Sequence, residues 1–230
     1  MSIRVFTIVI FLFYYQVQAQ EQETIELVSA VTTLEEFEEE VYVFPKFIDG
    51  IVTFKNGRKS HGLFNYCLLT NEMLFVSTSK NILAISNEND VKLVSIGSDT
   101  FYYNGTHFLM QAKNYGWIKT ANFKSIREKG RKKFGAYGET VNGVAISLTS
   151  LPVSKLFVQL SSADKIFLIK ETRYYIGNEL NEFLPINKTN LFKFIPPDKK
   201  DAAINYLKEH KIDFTNYDQV DQFLSSIGSQ

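Results

Sequence analysis

The chain has 230 residues, with 25 Lys+Arg against 25 Asp+Glu, three histidines and one cysteine. This neutral balance excludes a general nucleic-acid or polyanion binder, so any electrostatic partner has to be met by a local cluster of charge. The single cysteine excludes an intramolecular disulfide, and a core drawn from 45% hydrophobic and 14% aromatic residues has to supply the stability instead.

The N-terminus opens with Arg4 and continues with the apolar run Val5-Phe6-Thr7-Ile8-Val9-Ile10-Phe11-Leu12-Phe13-Tyr14-Tyr15. That run has the length of a signal-peptide core and stops well short of the roughly 20 apolar residues that a membrane-spanning helix needs. Val17 and Ala19 place small residues at the −3 and −1 positions, so residues 1–19 read as a secretory signal peptide cleaved after Ala19. No cysteine follows the cleavage point, so the expected mature chain is soluble, with neither lipid attachment nor a transmembrane span.

Residues 20–40 carry eight glutamates and no Lys or Arg. Their apolar residues show no sustained period, and this acidic lead-in is expected to be mobile or loosely attached.

From Val41 the pattern becomes β-rich. Val52 and Phe54 alternate with polar neighbours, Asn56-Gly57 supplies two residues that tolerate positive φ, and Leu63 with Asn65-Tyr66 forms the return strand. Turn signals recur at Asn71-Glu72, Asn87-Glu88-Asn89-Asp90 and Asn104-Gly105. The spacing predicts a mainly β domain over residues 41–186, an antiparallel meander forming a sandwich or barrel. Lys124, Arg127, Lys129, Arg131, Lys132 and Lys133, followed by Gly135-Ala136-Tyr137-Gly138, predict a long basic and glycine-rich loop over about 124–150. Strand-like runs resume at 156–160, 166–169 and 173–176. Residues 187–230 read as a C-terminal helical pair packed on the sheet, with Ala203, Ile204 and Leu207 on one face. Pro197 suits the first helix's entry, Thr215 with Asp218 caps the second, and Tyr217, Val220, Phe223, Leu224 and Ile227 form its apolar stripe.

Little in this pattern names a chemistry. His61, His107 and His210 lack metal-ligand spacing, and no nucleophile elbow, phosphate loop or calcium loop is present. The expectation is no catalytic residue, no metal and no cofactor. His61 and Cys67 could form a thiol–imidazole pair, but a cysteine in a Leu-rich strand reads first as a core residue. Lys129, Arg131, Lys132 and Lys133 are the candidate site, a patch for an anionic partner such as lipid headgroups, an acidic sugar or the chain's own lead-in. Asn104-Gly105-Thr106 and Asn187-Lys188-Thr189 match the glycosylation acceptor pattern.

The blocks Phe44-Pro45-Lys46-Phe47-Ile48-Asp49-Gly50-Ile51-Val52, Lys55-Asn56-Gly57, Leu63-Phe64-Asn65-Tyr66 and Glu72-Met73-Leu74-Phe75 resemble uncharacterised secreted β-rich proteins of the Bacteroidota. Gly135-Ala136-Tyr137-Gly138 and the ending from Phe194 through Phe214 and the final helix resemble the same group. The resemblance implies a Gram-negative cell envelope, either periplasm or cell surface, and no activity or assigned residue comes with it. Cys67 and the acidic lead-in depart from its pattern. The sequence therefore supports a non-enzymatic binding or assembly module, with an envelope protein or an anionic surface as partner and no role for nucleic acid. The alternatives are a carrier holding an apolar ligand inside a β-barrel and an unrecognised hydrolase.

Overall fold

The turn chemistry organises the sheet as the residues demand. In a computed structural model, which describes residues 20–28, 33–132, 153 and 165–228, strand β2 (Ile48–Phe54) returns as β3 (Lys59–Cys67). Gly57 takes φ +84° in the turn, and Asn56 Oδ1 accepts from the Arg58 N–H at 2.9 Å. Asn71, at φ +60°, turns β3 into β4 (Glu72–Val76), which pairs with the short edge strand β5 (Ile82–Ala84). After a 3₁₀ turn at Glu88–Asp90 come β6 (Val91–Ile96), β7 (Asp99–Tyr103), β8 (Phe108–Asn114), β9 (Lys119–Lys132) and β10 (Lys165–Gly177). Asn104 Oδ1 accepts from the Thr106 and His107 N–H groups in the β7–β8 turn.

The strands form one antiparallel sheet ordered β1-β10-β9-β8-β7-β6-β2-β3-β4-β5, with β1 at Gln20–Val28 and β11 (Phe183–Pro185) added to β10. It departs from a plain meander where β6 pairs with β2 instead of β5. Gly50 sits at that junction, where a Cβ would lie 2.6 Å from the Ser95 carbonyl oxygen. The sheet is not closed, which removes the enclosed barrel that the carrier alternative assumed. It curls strongly nonetheless, because Tyr66 of β3 packs on Phe101 of β7 and Phe108 of β8, with ring centroids 5.9 and 6.4 Å apart. The curl brings the end of β3 to β9 at a seam, where the Ile126 N–H of β9 donates to the Leu68 carbonyl at 2.7 Å.

The acidic lead-in is built into this fold, contrary to the expectation of a loosely attached segment. β1 pairs with β10 over its whole length. Thr33 and Glu36 form a capping box for helix α1 (Leu34–Val41), which places Phe37 and Val41, one turn apart, fully in the core. The linker after α1 is pinned by Asn65, buried in β3, whose side chain accepts from the Phe44 N–H and donates to the Phe44 carbonyl. The predicted basic loop is likewise corrected over 124–132, which is strand β9; residues 133–150 lie outside the described residues, as do the signal segment and the run at 156–160. The separate runs at 166–169 and 173–176 are a single strand, β10.

Three helices close the chain where two were expected: α2 (Lys188–Phe194), α3 (Pro197–Glu209) and α4 (Tyr217–Gly228). Asn187 caps α2 through the Asn190 N–H at 2.8 Å and is nearly buried, so its acceptor motif serves as a helix start. Pro197 opens α3 as expected, but Ile204 faces solvent at 42% exposure while Ala203 is buried. In α4 the cap is Asn216, which accepts from the Gln219 N–H, while Thr215 donates to Asp213. Val220, Phe223, Leu224 and Ile227 then pack with Ile118, Ile176, Ile186 and Leu191 into a second core. Tyr217 stacks on Tyr174 at 4.0 Å, and Asp221 takes hydrogen bonds from Lys113 and Tyr115, tying the helices to the sheet.

Candidate functional site

Strand β9 holds six Lys/Arg and one Glu among its 14 residues. It pairs with β8 only through Lys119–Asn122 and with β10 along its whole length. Beyond Asn122, β9, β10 and β1 therefore run on as a three-stranded ribbon that touches the rest of the sheet at the Ile126–Leu68 seam. Ile126, Ile166 and Leu168 fill the core from one face, and the other carries Arg127, Glu171 and Arg173 around the buried Ile169.

At the inner end of the ribbon two arginines share one carboxylate. Glu171, only 3% exposed, accepts from Arg127 Nε at 2.6 Å and from Arg173 Nη2 at 3.0 Å. Burial pushes its carboxyl up, but the two guanidinium groups outweigh burial and hold it below the usual glutamate range. Lys170 pairs with Glu40 of α1 at 2.5 Å. The lead-in is thus joined to β10, through β1 backbone pairing and this ion pair, and not to the cations at Lys129–Lys132.

Toward the outer end the balance changes. Gly130 pairs with Phe167 and Glu128 with Leu168, so Lys129 is the extra residue of a β-bulge, a feature that re-aims side chains. Lys129 is exposed. Arg131 and Lys132 follow it in register opposite Ile166 and Lys165, and Lys133 lies outside the described residues. The structure thus brings Lys129, Arg131 and Lys132 together at the tip of one ribbon, on a strand and not on the loop that the sequence suggested.

The nucleophile reading finds no support in the geometry. Cys67 is fully buried and its thiol is pushed up by burial, while His61 is exposed about 20 Å away along the same strand. His107 stacks on Phe123 at 4.2 Å, and burial and the nearby Arg173 depress its pKa. His210 stacks on Tyr206. Among the described residues no group of three His, Cys, Asp or Glu side chains is placed to hold a metal, and no helix is long and apolar enough to cross a membrane.

Sequence reasoning missed two features at the seam. One is a cleft of about 350 Å³ lined by Glu23, Leu68, Lys124, Lys170, Glu171 and Thr172 among others. Beside it lies a packing gap too narrow for a water molecule, lined by Val43, Tyr66, Phe101, Phe108, Met110, Asn122 and Lys124. Tyr66 is 2% and Asn122 7% exposed, and the Tyr66 hydroxyl and Asn122 Oδ1 have no hydrogen-bond partner among the described residues. These residues come from strands remote in sequence, so no local signal marks them.

Comparison with protein-family models, curated proteins and solved structures finds no match to this chain.

Proposed function

We propose that this chain is an exported, non-enzymatic binding module of the cell envelope, which engages an anionic surface through the tip of the β9–β10 ribbon. The observation that carries the reading is the segregation of charge along β9. In a chain with no net charge, Arg127 is paired with Glu171 nearer the sheet, while the bulge at Lys129 and the following Arg131 and Lys132 place three cations close together at the outer end, beside the strand's one acidic residue, Glu128. Each Lys or Arg near an anionic lipid surface contributes about 1 kcal/mol, and such attraction acts within a Debye length of roughly 10 Å. The apolar N-terminal run supports export, and the resemblance noted above supports the envelope.

Cosedimentation of the chain with phospholipid vesicles tests this reading. Binding is expected to vesicles containing phosphatidylglycerol, to weaken steeply as salt is raised, and to be absent with phosphatidylcholine alone. Equal binding to both vesicles, or none to either, would overturn it.

A further inference from the structure

We propose that the free edge of β5 pairs with the same edge of a second copy of this chain, antiparallel about a two-fold axis that passes beside Leu83. This inference stands apart from the ribbon reading, since it uses the opposite end of the sheet and a different kind of partner.

The argument begins with the backbone. β5 is the last strand of the sheet, and among the described residues it pairs with β4 alone. The Ser77 N–H donates to the Asn81 carbonyl at 2.8 Å, and the Ile85 N–H to the Met73 carbonyl at 3.0 Å. With Leu83 opposite Phe75 in the same register, Asn81, Leu83 and Ile85 turn their polar backbone groups toward β4, and Ile82 and Ala84 turn theirs away from the sheet. Such an edge is a template for another strand, and folded chains ordinarily blunt it with a charge, a proline or a bulge. Ile82, Leu83 and Ala84 supply none of these and are all exposed, Ile82 at 50% and Leu83 at 47%. At the other end of the sheet β1 carries Glu21, Glu23 and Glu26, so two copies of that edge repel each other.

The side chains then identify the occupant as a second copy. A two-fold interface has to be complementary to itself. With Leu83 opposite Leu83 of the second copy, each Ile82 faces an Ala84, and the outward N–H and C=O groups of these residues satisfy one another on both sides of the axis. Phe64, Phe75 and Leu83 form an apolar row across β3, β4 and β5, and the pairing continues it into the same row of the second copy. The charges agree with this arrangement. The exposed Lys80 precedes β5, while Glu88 and Asp90 follow it, so antiparallel pairing brings the lysine end of each copy to the acidic end of the other. Parallel pairing would set like ends together.

Sedimentation velocity of the full chain between about 1 and 200 µM tests the proposal, a range suited to the small interface that one short strand provides. The chain is expected to pass reversibly from monomer to dimer as its concentration rises. Ala84→Pro removes only an N–H that points away from the sheet, and Leu83→Lys sets two like charges face to face. Each should keep the far-ultraviolet circular dichroism of the wild type and weaken association at least about tenfold. Leu83→Cys should form a disulfide-linked dimer on mild oxidation, since facing residues of a non-hydrogen-bonded pair lie within disulfide reach. Ile82→Cys, whose two copies stand out of register, should not, and the native Cys67 is fully buried. A monomer throughout the concentration range overturns the proposal. So does a dimer whose association is unchanged in both Ala84→Pro and Leu83→Lys, or one that Ile82→Cys crosslinks as readily as Leu83→Cys.

Discussion

Replacing Phe37 by alanine is expected to lower the free energy of unfolding by about 3–5 kcal/mol, the range for a fully buried aromatic side chain cut back to a methyl group. The ring has no exposed surface and belongs to the main core together with Val41, Tyr66, Cys67 and Leu168. A loss of this size is a large share of the 5–15 kcal/mol that stabilises an ordinary domain. Urea unfolding followed by circular dichroism measures it. A change below about 1 kcal/mol, the scale of an ordinary surface substitution or less, would show that α1 is not seated on the core. The experiment also bears on the ribbon, because the same helix supplies Glu40 to Lys170.

The second large effect is expected at Glu171. Glu171→Gln removes the negative charge from between Arg127, diagonally opposite it on β9, and Arg173, two residues along β10 on the same face. Breaking a buried ion pair costs 3–5 kcal/mol when the remaining charge is trapped; here both guanidinium groups are about half exposed and regain water, so about 2 kcal/mol is expected. The pH dependence has a definite sign. The folded-state pKa lies below the unfolded value, so this contribution is fully present above the ordinary glutamate range near 4.5 and is lost as pH falls through the folded pKa. Unfolding measured from pH 7 downward should show the wild type losing stability in acid relative to Glu171→Gln, with the two curves converging. Parallel curves over that range would remove Glu171 from the account.

What the sequence could and could not reveal follows from where each signal resides. The hairpin turns at Asn56-Gly57 and Asn104-Gly105 were legible because positive φ is a local demand that Asn and Gly meet. The stripe of α4 was legible because its period repeats over three turns. The lead-in was misread because its glutamates hide a two-point signal: Thr33 with Glu36 at the cap, and Phe37 with Val41 one turn apart. β9 was misread for a related reason. Its alternation carries Ile126 inward among lysines and arginines, and the bulge at Lys129 breaks the period where the charge is densest. The charge cluster itself was visible as composition, but its place on a ribbon beside β10 depends on pairing with residues some 40 positions away. Tyr66 and Asn122 come to line one gap only because the sheet curls, and strand curvature leaves no mark on either neighbourhood.

The reading of the ribbon as the binding element is tested most directly by reversing its tip. A chain carrying Lys129→Glu, Arg131→Glu, Lys132→Glu and Lys133→Glu should fold with an unchanged Tm, since the described side chain among them, Lys129, is exposed and makes no ion pair with a described residue. Its affinity for phosphatidylglycerol vesicles should fall by at least about a hundredfold, since about 1 kcal/mol is lost per basic group and repulsion is added. Affinity within a factor of about two of the wild type, in a chain that remains folded, would contradict the account and move the anionic contact elsewhere on the molecule.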